Sequence, residues 1–270
     1  MKKKTLTVLV TGAASGIGRA TAAAFAAAGH TVYALDRCRV RAEVGIHPIA
    51  ADITKNEELL AAADALRIEG VHLDAILCVA GIHTMASLIE SEPSDILRLL
   101  EVNLLGTMMC CRLFHPLLKE DGRILLVTSE VATYDPLPFN GLYNVSKVAL
   151  ESYAQALRQE MNLLGQKVIT VRPGAVATPL ASGTSGGARA LADSTRLFRK
   201  EAPSFARLTE RFIGVPVEPA VIGRLLLRVT EKRHPRLSYA KHRHLGLVLL
   251  SALPKRVQLA IVKLLVSREK

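Results

Sequence analysis

The sequence predicts an α/β fold: a doubly wound parallel sheet in a single domain that carries a C-terminal helical extension. Three observations predict it. Short β-branched runs alternate with Ala/Leu-rich stretches of helical period over the first 175 residues, the pattern of strand–helix–strand units with helices on both sheet faces. Half of the 270 residues are hydrophobic and 22% are charged, so one sizeable core can offset its ordering entropy. A Gly-rich turn, Thr11-Gly-Ala-Ala-Ser-Gly-Ile-Gly18, stands directly between the first strand and the first helix.

In chain order, strands are expected at 5–10, 31–35, 46–51, 74–79, 122–128 and 167–172. The stretches between them, Gly18 to Ala28, Lys55 to Glu69, Ser94 to Leu118 and Asn140 to Leu164, read as helices. Gly29, Gly70, Gly122 and Gly165 are placed as their stops. After Pro173-Gly174 the pattern loosens. Ala181 to Gly187 reads as a flexible segment and Ala188 to Lys200 as a basic helix. An insertion over about 178–205 lies where a substrate lid belongs, because ligands of open α/β sheets bind outside the carboxyl ends of the strands. A helix resumes over Pro219 to Thr230, and Leu237 to Ala240 is expected as a last short strand. Residues 1–240 thus form the main domain and 241–270 a basic, apolar helical tail.

The tail's apolar runs, within Leu245 to Val266, are broken by Pro254-Lys255-Arg256 and Lys263. Neither reaches the roughly 20 residues needed to span a bilayer. Such a face could lie in a membrane interface, or cover the domain or a partner subunit. Charge is distributed unevenly: residues 1–195 carry 18 Lys and Arg against 19 Asp and Glu, whereas 196–270 carry 17 against 5. A basic surface for an anionic partner and an ordinary solvated helix face both remain open readings. With aromatics at 4% and no Trp, base stacking has little to work with, so nucleic acid is not expected as a partner.

Cys38, Cys78, Cys110 and Cys111 match neither a zinc pair nor a disulfide framework, which predicts reduced thiols, no metal and a reducing, cytoplasmic compartment. The apolar stretch after Met1-Lys-Lys-Lys4 is too short for a signal h-region and reads as the first strand.

Several motifs carry chemistry. Glycines at 12, 16 and 18 let backbone approach a pyrophosphate, and the helix start offers N–H donors. Asp36 ends the second strand 24 residues beyond Gly12, where a carboxylate accepts from ribose hydroxyls and repels a 2′-phosphate. Arg37 beside it could hold that phosphate instead. Tyr143 and Lys147 lie four residues apart on one helical face, and an ammonium next to a phenol stabilises the phenolate. Ser129 ends the strand from Gly122, where a donor for a substrate oxygen is wanted. Asn103 puts an amide inside an apolar helix and must find partners there.

Together these pieces resemble the short-chain dehydrogenase/reductase family. The TGxxxGIG turn, Asp36, Asp52-Ile53, Val102-Asn103-Leu-Leu-Gly-Thr107, Ser129, Tyr143-Asn-Val-Ser-Lys147 and Arg172-Pro-Gly-Ala-Val-Ala-Thr178 follow the family's order across about two thirds of the chain. The resemblance implies a Rossmann-type fold and a catalytic set of Asn103, Ser129, Tyr143 and Lys147. It implies cofactor contacts from Gly12, Ser15, Gly16, Ile17, Gly18, Asp36, Arg37, Ala80, Gly81, Tyr143, Lys147, Pro173 and Gly174. Asp52 and Ile53 are implied at the adenine, Val176 and Thr178 at the nicotinamide carboxamide. The cofactor expected is NAD, with NADP left open by Arg37.

Two positions depart from the pattern. Cys78-Val-Ala-Gly81 stands where the family has NNAG, so bracing side-chain amides are absent, and Ser129 precedes Tyr143 by fourteen residues where thirteen would land on Glu130. The strand alignment favours Ser129, with one extra loop residue among Asp135 to Pro138 and Glu130 at the pocket rim or in solvent.

By this resemblance the chain interconverts a hydroxyl and a carbonyl by hydride transfer. Tyr143 serves as acid/base, Lys147 lowers its pKa and Asn103 fixes a relay water. The stretch Lys232 to Tyr239 and the Leu-rich tail are similar to members acting on steroids or retinoids. That implies a small hydrophobic substrate, with a dimer or tetramer as the assembly. A 3-oxoacyl thioester reductase using NADPH and a non-catalytic dinucleotide-binding regulator are the alternatives.

Overall fold

The computed structural model describes residues 4–212, 216–242 and 244–268. Seven strands form one parallel sheet in the order β3-β2-β1-β4-β5-β6-β7. They are β1 (Thr7–Thr11), β2 (Thr31–Asp36), β3 (Ile46–Ala50), β4 (Leu73–Cys78), β5 (Leu118–Val127), β6 (Lys167–Pro173) and β7 (Ser238–Lys241). The order reverses between β1 and β4. A parallel sheet needs long crossovers, and the crossovers on either side of a reversal leave a crevice above the strand ends.

The helices are α1 (Gly16–Ala27), α2 (Asn56–Ile68), α3 (Pro93–Leu100), α4 (Gly106–Phe114), α5 (Gly141–Leu163), α6 (Pro179–Ser194), α7 (Glu201–Phe212), α8 (Pro219–Glu231), α9 (Leu245–Ser251) and α10 (Lys255–Arg268). Alternation along the strands divides the core in two. Leu9, Leu35, Ile76, Ile124 and Leu126 face Leu59 of α2, Phe114 of α4 and Leu150 of α5. Val8, Val10, Leu77, Leu125 and Val171 face Phe25 of α1 and Leu226 of α8. Both faces of the sheet are covered, which is why these strands read as continuous apolar runs.

Four expectations are corrected. The single helix expected over Ser94 to Leu118 is α3 and α4 joined by a π turn at Glu101–Leu105, and Leu118 already begins β5. The wide turn takes up one extra residue while Asn103 stays clamped in the interior, and such turns gather at functional sites. Gly29, Gly70 and Gly165 do end helices in the left-handed region, but Gly122 lies inside β5, where a Cβ would sit 2.6 Å from the Leu118 side chain. Residues 181–187, expected to be flexible, belong to α6, whose Ala188 and Leu191 are buried; tertiary packing overrides the poor helix propensity of its glycines. The basic helix expected to run to Lys200 stops at Ser194, and α7 follows it as a separate helix.

The tail is packed rather than extended. Val266 of α10 joins Phe139, Leu191 of α6, and Ala202 and Phe205 of α7 in a third cluster, and Lys255 pairs with Asp135. Among the described residues no helix is long and apolar enough to cross a membrane.

Candidate active site

The crevice begins where β1 runs into α1. Gly12 and Gly16 have φ of +71° and +50°, conformations that other residues rarely adopt. A Cβ on Gly18 would lie 2.0 Å from the Gly12 carbonyl oxygen, and one on Gly12 would lie 2.8 Å from Ala80 Cα. The loop can therefore fold back on its own helix only without side chains. Ser15 occupies the cap position of α1 but makes no side-chain bond to the helix. A cavity of about 290 Å³ follows this loop, bordered by Ser15, Ile17, Asp36, Asp52, Ala80 and Thr178. A cradle closed to any Cβ, at a helix start and under a strand-end carboxylate, fits a dinucleotide.

The side chains along the cavity already have partners. Asp36 accepts from the Ala14 N–H at 3.0 Å and the Cys38 N–H at 2.8 Å, one bond per oxygen, leaving lone pairs for ribose hydroxyls. Arg37 is half exposed and its guanidinium lies 3.8 Å from the Asp52 carboxylate. Asp52 accepts from both the N–H and the hydroxyl of Thr54 at 2.9 Å, so its carboxylate closes its own turn. Ile53 is buried, and a Cβ on Gly106 would meet its side chain at 2.9 Å. The amide bracing absent from Cys78-Val-Ala-Gly81 has a substitute that the sequence reading missed: the buried Thr11 hydroxyl accepts from the N–H groups of Val79 at 3.1 Å and Ala80 at 3.2 Å.

A second cavity, of about 270 Å³, meets the first at Ile17, Val79, Gly81, Thr178 and Leu180. Ser129, Tyr143 and Lys147 border it. Tyr143 is buried, and the Ser129 side chain stands close enough to its hydroxyl to act on its acidity. Lys147 Nζ donates to the Val127 carbonyl at 3.3 Å and sits 5.7 Å from the centre of the Tyr143 ring. Around them the walls are mostly apolar, with Met85, Leu137, Val176, Leu180, Phe205 and Leu247 among the lining residues.

Several bonds hold this group in place. Asn144 Nδ2 donates to the Val131 carbonyl at 2.6 Å, tying α5 to the turn that follows Ser129. Ser146 donates to the Tyr143 carbonyl at 2.7 Å and accepts from Asn103 Nδ2 at 3.1 Å. One turn beyond Lys147, Glu151 makes a two-pronged pair with Arg172 at 2.7 Å on each prong and accepts from Thr128 at 2.5 Å, locking α5 onto β6 and the end of β5. Burial pushes the Glu151 carboxyl up, but those bonds outweigh it and hold it below its ordinary range.

Asn103 finds the partners that a buried amide needs. Its Nδ2 donates to the Ile82 carbonyl at 2.9 Å as well as to Ser146, and its Oδ1 accepts from the Ile82 N–H at 2.8 Å. Both donors are used, so the amide clamps the loop after β4. Of the two placements expected for Glu130, pocket or solvent, the structure shows the pocket. Glu130 is buried in the cavity wall and accepts from the His244 N–H at 2.7 Å, which fastens the start of α9 to the pocket. Gly174 admits this closure: a Cβ there would stand 1.8 Å from the His242 carbonyl oxygen.

Electrostatics correct the expected support of Tyr143 by Lys147. Burial drives Tyr143 up to about 12, against which the Ser129 side chain works, and Lys147 is not among the causes acting on it. Burial also brings Lys147 down to about 8. Desolvation costs each group its charged form, and this outweighs the mutual support that four-residue spacing suggests. His83, unsuspected from sequence, lies 4.4 Å from Tyr143 between ring centres and bonds Asn140 Oδ1 through Nε2 at 3.0 Å. Burial, with the Lys147 charge adding to it, lowers His83 to about 4, so the ring is neutral at neutral pH.

Comparisons place this arrangement among known proteins. A protein-family model described as short chain dehydrogenase matches residues 6–187. A 3-ketodihydrosphingosine reductase of Bacteroides thetaiotaomicron is 24% identical over 234 residues, which cover 84% of each protein. A probable oxidoreductase of Mycobacterium tuberculosis, EphD, is 32% identical over 189 residues, 66% of this chain but only 32% of that protein's length. The crystal structure of a short-chain dehydrogenase from Streptomyces avermitilis superposes with a TM-score of 0.74 at 22% identity, over 97% of this chain and 96% of the other, a likeness of fold.

Proposed function

We propose, because the chain belongs to the short-chain dehydrogenase/reductase family and is an NAD(P)-dependent oxidoreductase, that it interconverts a ketone and an alcohol on a bulky apolar substrate, with NAD(H) as the favoured cofactor. One observation carries the reading: Ser129, Tyr143 and Lys147 together border an apolar cavity that opens into a dinucleotide-shaped groove. The Bacteroides relative, aligned along most of both chains, is named for a long-chain ketone, and that supports the same substrate class.

When bound, the nicotinamide supplies or accepts the hydride. In reduction, the Ser129 hydroxyl orients the substrate oxygen and Tyr143 Oη gives it a proton. Lys147 then faces the phenolate that remains. With Tyr143 near 12 and Lys147 near 8, the resting site at pH 7 holds a protonated phenol and a largely charged ammonium, the state needed for reduction. Alcohol oxidation needs the phenolate instead. The reduction rate is therefore expected to stay flat up to about pH 7 and to fall as Lys147 loses its proton around 8, while oxidation rises with pH. Opposed pH–rate profiles for the two directions check this, and a reduction rate that climbs through pH 9 contradicts it.

Cofactor choice rests on Asp36. Asn in its place keeps an acceptor for the Ala14 or Cys38 N–H and removes the charge that repels a 2′-phosphate. Asp36→Asn should shift the ratio of kcat/KM for NADPH over NADH upward by about tenfold. An unmoved ratio would remove Asp36 from the selectivity account. The reading as a whole is tested by a panel of steroid ketones, a retinoid aldehyde, long-chain sphingoid ketones and 3-oxoacyl thioesters with each reduced cofactor, followed by nicotinamide absorbance. Turnover confined to 3-oxoacyl thioesters would overturn the substrate class.

A further inference from the structure

The last two helices present an unusual surface. Leu245, Leu249, Leu253, Val257, Leu259 and Leu264 are all exposed, the first, second and fifth of them by about 70% or more of their area: 75%, 69% and 70%. α9 has no buried residue at all. Interleaved with these on α10 are Arg256 and Lys263, both exposed. Residues 232–268 hold nine Lys and Arg and no Asp or Glu. Leucines that stay in water within so cationic a stretch call for a partner that is apolar and anionic together.

We propose that this face of α9 and α10 docks on an anionic phospholipid surface. Leucines would enter the boundary between headgroups and acyl chains, while the lysines and arginines meet the lipid phosphates, each cation contributing about fivefold in partition. A second copy of the chain fits the patch less well. In a two-fold contact the patch meets itself, and Arg256 and Lys263 would be pressed against their like-charged copies. Nucleic acid fits less well again, because residues 245–268 contain no aromatic side chain on which a base could stack. The inner side of α9 meanwhile contributes His244 and Leu247 to the wall of the apolar cavity, so the docked helix would separate lipid from pocket by one helix diameter. Delivery of a lipid-dissolved substrate rests on the substrate reading above; the docking itself does not.

The test is co-sedimentation of the full chain with vesicles of phosphatidylcholine alone and of phosphatidylcholine with about one third phosphatidylglycerol, at low and high salt. Binding to the anionic vesicles is expected to exceed binding to neutral ones at least tenfold and to weaken with salt. The double variant Arg256→Gln, Lys263→Gln should lose about twentyfold in partition, and Leu249→Ser with Leu259→Ser a similar factor, with unchanged far-ultraviolet circular dichroism. Tyr143→Phe should bind vesicles as the wild type does, which separates a failure of docking from a failure of the chemistry. Pelleting with neither vesicle, equal pelleting with both, or leucine variants that turn a dimer into a monomer while vesicle binding is absent would each overturn the proposal.

Discussion

Replacing Tyr143 with Phe should lower kcat by about a thousandfold, within the range attributed to a positioned general acid or base, while dinucleotide affinity stays within about twofold. Phe keeps the ring that packs 4.4 Å from His83 and fills the same buried volume, so the substitution removes only the hydroxyl that Ser129 engages. The ring that packs against it is a poor substitute. His83 is close but neutral, held near 4 by burial, and its Nε2 is already bonded to Asn140. Single-turnover kinetics with the reduced cofactor, alongside a fluorescence titration of cofactor binding, separate the two quantities. Turnover within tenfold of wild type would remove Tyr143 from the proton path.

Gly18→Ala should abolish useful cofactor binding, weakening it by at least about a hundredfold, and should cost roughly 3 kcal/mol of stability through overpacking. The new Cβ would lie 2.0 Å from the Gly12 oxygen and 2.5 Å from its carbonyl carbon, and both belong to backbone pinned against Ala80. Relief requires the loop to leave the cavity that it borders. For a domain of this size the melting temperature should fall by about 10 °C. Gly70→Ala is the matched control. Gly70 has φ +69°, but a Cβ there meets nothing within 4 Å, so the cost should be about 1 kcal/mol with cofactor affinity intact. Equal effects from the two variants would show that close approach to Gly12 is not what makes residue 18 a glycine.

Much of the site could be read in advance because its signals are local. A Gly-rich turn between strand and helix, a carboxylate at the next strand's end and a phenol four residues before an amine each need only a few neighbouring residues to be recognised. Ser129 was reachable for the same reason, since strand alignment placed it at a carboxyl end although the interval to Tyr143 is one longer than usual. The groups that hold these residues were not legible. Thr11 under Val79 and Ala80, Arg172 on Glu151, and Glu130 on the His244 N–H join positions 21 to 114 residues apart. No period or motif links them.

Chain order alone was enough for the doubly wound parallel sheet with helices on both faces, because apolar periodicity and turn chemistry act over one or two elements. Charge state and closure needed the folded chain. Burial is a property of everything packed around a group, so Tyr143 stands near 12 and Lys147 near 8, although their spacing suggested an ion-assisted phenolate. Packing likewise made a helix of 181–187, took up the Asn103 amide and folded the tail against the pocket. Contacts distant in sequence there outweigh local preference by more than any local signal could supply.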